Sequence, residues 1–161
     1  MSNKKDSLGD RMKENYENRA KTYLVRRMPV IIRLDGKAFH TFTRGLKKPY
    51  DEIFHNTMNA TMKYLCENIQ GCKLGYAQSD EITLLLTDYD TLTTDAWFDY
   101  EVQKLCSVSA SMATLYFNKA LAEAIQVEMD ENGVSAYVSK LNAALNKGAM
   151  FDSRCFNIPE D

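Results

Sequence analysis

Val30-Ile31-Ile32-Arg33-Leu34-Asp35-Gly36 is a short β-branched apolar run, opened by Pro29 and closed by an acid and a glycine. Such a run reads as a buried strand. Upstream, residues 7–24 read as a helix. Ser7 can cap it, with Asp10 at capping-box spacing, and Leu8, Met12, Tyr16, Ala20 and Tyr23 form one apolar stripe in steps of four and three. Downstream, a loop holding Gly45 and Pro49 leads into a helix from Asp51 to about Ile69. Residues 73–78 and 81–87 read as two strands joined by the polar turn Gln78-Ser79-Asp80-Glu81, a hairpin without a glycine. A polar linker covers 88–95. A third helix is predicted from about Phe98 to Ala124, with a small-residue surface at Ser107, Ser109, Ala110, Ser111 and Ala113. A turn at Asn132-Gly133, a helix from about Ser135 to Leu145 and a strand from Ala149 to Ile158 complete the chain. The order predicts an α+β fold with helices packed on an antiparallel sheet, most simply a ferredoxin-like split βαβ arrangement.

The 161 residues suit a single domain, and 45% hydrophobic with 26% charged residues is a globular composition. The longest purely aliphatic runs free of alanine are three residues, 30–32 and 84–86, far short of the roughly 18 that a membrane span needs. The opening MSNKKDSLGD has no apolar core, so no secretory signal is read there. Cys66, Cys72, Cys106 and Cys155 form no CxxC pair, and His40 and His55 are the only histidines, which argues against zinc. Scattered thiols fit a reducing cytoplasm.

Net charge is −2, yet residues 19–48 hold nine Lys or Arg against the single acid Asp35. A basic block beside an acidic remainder suits either a phosphate-binding face or a solvated surface. Asp35 ends one strand, and Asp80 and Glu81 sit at a hairpin tip. If the strands share a sheet, these carboxylates meet at one end of it. Two carboxylates about 4 Å apart repel by roughly 4 kcal/mol at an effective dielectric near 20, so a cation between them is expected. Mg²⁺ favours such oxygen ligands, two ions could activate a hydroxyl and neutralise a leaving phosphate, and Gly36 could add its carbonyl. Each residue also has a plainer role: turn or cap for Asp35 and Ser79-Asp80-Glu81, core for Phe39 and Phe42, a structural hydrogen bond for His40.

The residues from Arg33 to Phe42, RLDGKAFHTF, resemble the RxDGxxFHxF signature of tRNA-histidine guanylyltransferases and their bacterial-type relatives. Lys48-Pro49-Tyr50-Asp51 is similar to that family's KPxD segment, and Tyr76-Ala77-Gln78-Ser79-Asp80-Glu81 to its YxQSDE hairpin. Lys104 with Ser107 to Ser111, and Phe151-Asp152-Ser153-Arg154, resemble its Lys/Ser helix and FDxR strand, all in the expected order.

The resemblance implies a polymerase palm that adds NTP-derived nucleotides to the 5′ end of tRNA, either guanylate on tRNA-histidine or templated 5′-end repair. It implies Asp35, Asp80 and Glu81 as catalytic carboxylates. Asp35, Gly36 and Asp80 would ligate two Mg²⁺. Lys37, Ala38, Phe39, His40, Lys48, Ser79, Asp80 and Lys104 would contact ATP, GTP or another NTP. It also implies a homo-oligomer, a tetramer in such relatives. Trp97, read as exposed, and the small-residue helix predict packing against another chain. Members of that kind continue past the FDxR strand, so a chain ending at Asp161 is expected to lack part of the segment that grips tRNA. Two other readings fit the same carboxylates: a palm-type nucleotide cyclase, and an inactive palm that binds tRNA.

Overall fold

The computed structural model describes residues 7–159. The stretch 1–6, part of the opening on which the secretory-signal reading rests, and residues 160–161 lie outside it. Strand β1 (Val30–Gly36) is central, with β3 (Glu81–Leu86) on one side and β4 (Phe151–Asn157) on the other, both antiparallel to it. β2 (Cys72–Gln78) pairs with β3, so the sheet order is β2-β3-β1-β4. Helix α3 (Glu52–Asn68) joins β1 to β2. Helices α4 (Val102–Asn132) and α5 (Ala136–Lys147) join β3 to β4. This is the expected split βαβ arrangement.

Alternation decides which face is covered. Val30, Ile32, Leu34, Ile82, Leu84 and Leu86 are fully buried under α3 and α4, while Ile31, Arg33 and Asp35 point to the opposite face. α4 is fixed to β4 by a ladder of small polar groups. Ser109 Oγ lies 2.8 Å from Ser153 Oγ, and Thr114 Oγ1 accepts from the Phe151 N–H at 3.1 Å. The Cys106 and Cys155 sulfurs lie 3.6 Å apart between the same elements, and burial pushes the Cys155 thiol up to about 12.

Several expectations need correction. The first helix is only Leu8–Asn15, followed by a 3-10 turn at Glu17–Ala20. Ser7 does cap it, accepting from the Asp10 N–H at 3.1 Å. Its apolar stripe is not covered by the described residues, however; Leu8 and Tyr16 remain 69% and 66% exposed among them. The third helix starts later and runs longer than predicted. Phe98, Asp99 and Tyr100 take positive φ and break the chain before Val102, while Ile125 and Met129 keep the helix in contact with the core. The loop after β1 holds α2 (Phe39–Phe42) and a 3-10 turn at Thr43–Gly45. Trp97 is 8% exposed, buried with Ala96 and Tyr100, so it offers no surface to another chain. Of the small residues of α4, Ser109 and Ala113 are fully buried against its own sheet, while Ser107 and Ser111 are exposed.

The basic block divides. Arg26 donates to buried Asp88 at 2.6 Å and to Asp99 at 2.7 Å, and Lys21 lies 3.8 Å from Glu101. Asp88 also accepts from the Arg27 N–H at 2.8 Å. This half of the block ties the segment before β1 to the linker after β3. Asp88→Ala leaves that N–H unpartnered and leaves the guanidinium with Asp99 as its one remaining carboxylate among the described residues. The expected loss is about 2–3 kcal/mol in urea unfolding, less than for a wholly buried pair because Arg26 is partly solvated.

Candidate active site

Three strands deliver acids to one end of the sheet. Register sets Asp35 opposite Glu81 on one side and Asp152 on the other. Asp80 occupies the hairpin tip, whose carbonyl accepts from the Gly36 N–H at 3.0 Å. The turn closes without glycine because Ser79 takes φ +56°, and its hydroxyl lies 3.0 Å from Asp80 Oδ1.

Asp35 is held above the ordinary carboxylate range. Burial is the main cause, followed by the charges of Asp80, Asp152 and Glu81, with Arg154 opposing. Glu81 is partly neutralised by a close ion pair with Arg33, and Asp152 lies 3.4 Å from Arg154. Among the described residues, Asp35 and Asp80 have no ion pair of that kind. Among the described residues, no three His, Cys, Asp or Glu are already gathered as a ligand set. The donors present are two carboxylates and the backbone oxygen of Gly36. That set suits a hard divalent cation, which commonly takes one or two carboxylates and completes its shell with water and phosphate.

Beside the acids lies a cleft of about 280 Å³. Asp80, Ser79, His40, Lys47 and Lys48 edge it, and Phe39 and Phe54 form part of its floor. Its lip is fixed by Asp51, which is 6% exposed and caps α3 by accepting from the Phe54 N–H at 3.0 Å. Asp51 also accepts from the Lys47 N–H and the Tyr137 hydroxyl, each at 2.9 Å. Lys47 Nζ stands 4.0 Å from the Tyr137 ring centroid. Burial and the bond to Asp51 push the Tyr137 hydroxyl up, so it stays a donor.

The expected residues are placed unequally. Asp35, Gly36, Asp80 and Glu81 come together at the sheet end. His40, Lys48 and Ser79 line the cleft. Lys37 and Ala38 are exposed on the turn leaving β1, Ala38 at φ +55°. Phe39 is 2% exposed and stacks at 5.0 Å on Phe42, so its ring belongs to the core. Lys104 stands apart, 3.9 Å from Glu101 and 5.6 Å above Phe98 at the start of α4. Ten residues on, Thr114 marks the level of Phe151, which puts Lys104 about 15 Å along the helix from the acids. Sequence reading missed Lys47, Asp51 and Asp152. Alternation put Asp152 on the open face, but its pairing with Asp35 is a matter of register. The link from Asp51 to Tyr137 spans 86 residues and left no local signal.

The family model for Thg1, tRNAHis guanylyltransferase, matches residues 9–159. Two solved structures, of a bacterial tRNA(His) guanylyltransferase (Thg1)-like protein in complex with ATP and with GTP, superpose with a TM-score of 0.77 at 44% identity. They cover 95% and 96% of this chain, which spans 59% and 60% of theirs. An uncharacterised protein of Acanthamoeba polyphaga mimivirus is 30% identical over 97% of this chain and 53% of its own length. The chain therefore spans little more than half of these relatives. Among the described residues, no helix is long and apolar enough to cross a membrane.

Proposed function

The chain belongs to the Thg1 tRNAHis guanylyltransferase family, and from that premise we propose that it transfers NTP-derived nucleotides to the 5′ end of tRNA. The observation that carries the reading is the junction of two features. Asp35 and Asp80 converge at the sheet end, and the cleft edged by Asp80, Ser79, His40, Lys47 and Lys48 opens beside them. The bacterial relatives hold ATP and GTP, and a cleft edged by cations, with carboxylates beside it, suits a nucleoside triphosphate.

In the proposed reaction the 3′ hydroxyl of an incoming NTP attacks the α-phosphorus of a 5′-triphosphorylated or ATP-activated RNA end. A new P–O bond forms, and pyrophosphate leaves from the triphosphorylated end or AMP from the ATP-activated one. Lys47, Lys48 and His40 would orient the triphosphate. Ser79, held by its left-handed turn, would offer its hydroxyl to a phosphate oxygen. Asp35 and Asp80, with the Gly36 carbonyl, would hold Mg²⁺, which when bound lowers the pKa of the attacking hydroxyl and offsets charge on the leaving group. Phe39 contributes shape only. Lys104 would act on a more distant part of the substrate, and homo-oligomer formation belongs to the same proposal.

The test is incubation with Mg²⁺, labelled NTPs and a tRNA lacking its first 5′ nucleotide. Label joined at the 5′ end, and lost in Asp80→Asn, is the expected result. A cyclic nucleotide formed without RNA would point to a cyclase. RNA binding without incorporation, here and in a longer chain, would point to an inactive palm.

A further inference from the structure

A second cleft, of about 230 Å³, lies between residues 41–45 and α5. Its charged lining is Arg44, Lys140 and Lys147, with no acid among its lining residues. All three are exposed. On α5, Lys140, Ala143 and Lys147 follow at helical spacing on one face, with small Ala143 keeping the space between the lysines open. Opposite, the aliphatic stem of Lys140 lies along Gly45, within 3.3 Å of where a side chain there would begin. Arg44 projects from the other wall. This contrasts with Arg26, Arg33 and Lys21, whose charges are met by acids of the chain itself.

Three cations with no acid partner among the described residues, in a chain of net charge −2, form a local electropositive strip. Its size argues for an extended anion. Lys140 and Lys147 are two turns apart, about 10.5 Å along the axis, a span that neighbouring phosphates of one backbone would fill. Its position ties it to the first cleft. Within 39–48, Phe39, His40, Thr43, Lys47 and Lys48 face the first cleft, and Thr41, Phe42, Arg44 and Gly45 face the second. An anionic polymer in the second cleft would therefore run past the nucleotide cleft with only this segment between them.

Building on the proposed transfer to RNA, we propose that Arg44, Lys140 and Lys147 form a docking track for the phosphate backbone of the RNA substrate, separate from the triphosphate site. The contacts are to phosphate, so they position the RNA without reading its sequence. RNA binding is followed by fluorescence anisotropy from 50 to 200 mM KCl, using a labelled tRNA, wild-type protein and the triple variant Arg44→Gln, Lys140→Gln, Lys147→Gln. ATP binding is measured in parallel. Each phosphate contact on a duplex contributes about 0.9 to the slope of log K against log salt, so the triple variant should lower that slope by roughly 2–3. At 0.1 M salt its RNA affinity should fall about tenfold or more, with ATP affinity unchanged. Lys140→Arg with Lys147→Arg should keep the wild-type slope. An unchanged slope in the triple variant overturns the docking track and leaves the transfer reading standing. A parallel fall in ATP affinity would place the cations in the triphosphate site and also overturns it. Wild-type protein that binds ATP but no RNA overturns both readings.

Discussion

Replacing Asp35 by asparagine is expected to remove nucleotidyl transfer and, at the same time, to make the protein harder to unfold. The side chain keeps its shape and loses its charge. Orienting and charge-stabilising groups of this kind are worth about 10³-fold or more, near 4 kcal/mol, so the residual rate should fall at least that far. The stability gain follows from linkage. The pKa of Asp35 lies above its ordinary 3.8 in the folded chain, through burial first and then the charges of Asp80, Asp152 and Glu81. The folded state therefore retains a proton that the unfolded state has released. The stability tied to that proton is full below the unfolded pKa and lost as pH rises through the folded one. At neutral pH the ionised carboxylate works against the fold. Asparagine removes that burden, and because the site is open to solvent the gain is modest, on the order of 1–3 °C in Tm. The gain should vanish in acid, where wild-type Asp35 is itself protonated. Mg²⁺ should raise the Tm of the wild-type protein and leave that of Asp35→Asn nearly unmoved. A variant with lower Tm than wild type at pH 7, or with transfer intact, would sink this account of Asp35.

The sheet and its two main connections were legible because their signals are local. Val30 to Leu34 and Ile82 to Leu86 are apolar in a way only a buried strand explains, and Asp51 marks the start of α3 by a side chain that caps it. What the sequence left open was governed by contacts across the chain. The stripe from Leu8 to Tyr23 has helical spacing, but spacing says nothing about whether a partner surface exists. Trp97 reads as exposed, yet it is buried just before three consecutive positive-φ residues that turn the chain at the core. The acids show the same division. Asp35 and Asp80 could be picked out one at a time, whereas the row Glu81, Asp35, Asp152 exists only through register. The basic block was visible as a count; its division into acid-paired and unpaired cations was not.

Phe39 shows how a residue inside a site signature can belong to the fold. Its ring stacks on Phe42 at 5.0 Å and meets Phe54, Phe117 and Phe151 at 5.9, 5.7 and 5.1 Å. A Cβ on Gly36 would lie 2.5 Å from that ring, so the glycine at the end of β1 is what lets the phenylalanine close over the strand. The ring thus supports the turn from which Asp35 and His40 are presented. Phe39→Ala should cost about 3–5 kcal/mol in chemical denaturation, a large share of the 5–15 kcal/mol typical of a domain. Phe39→Leu fills most of the volume and should cost markedly less, about 1–2 kcal/mol. If the ring served instead to stack a base, the two substitutions would weaken ATP binding alike and leave unfolding nearly unchanged. The packing predicts the reverse. Stability should separate alanine from leucine, and the leucine variant, measured well below its unfolding transition, should bind ATP close to the wild-type level.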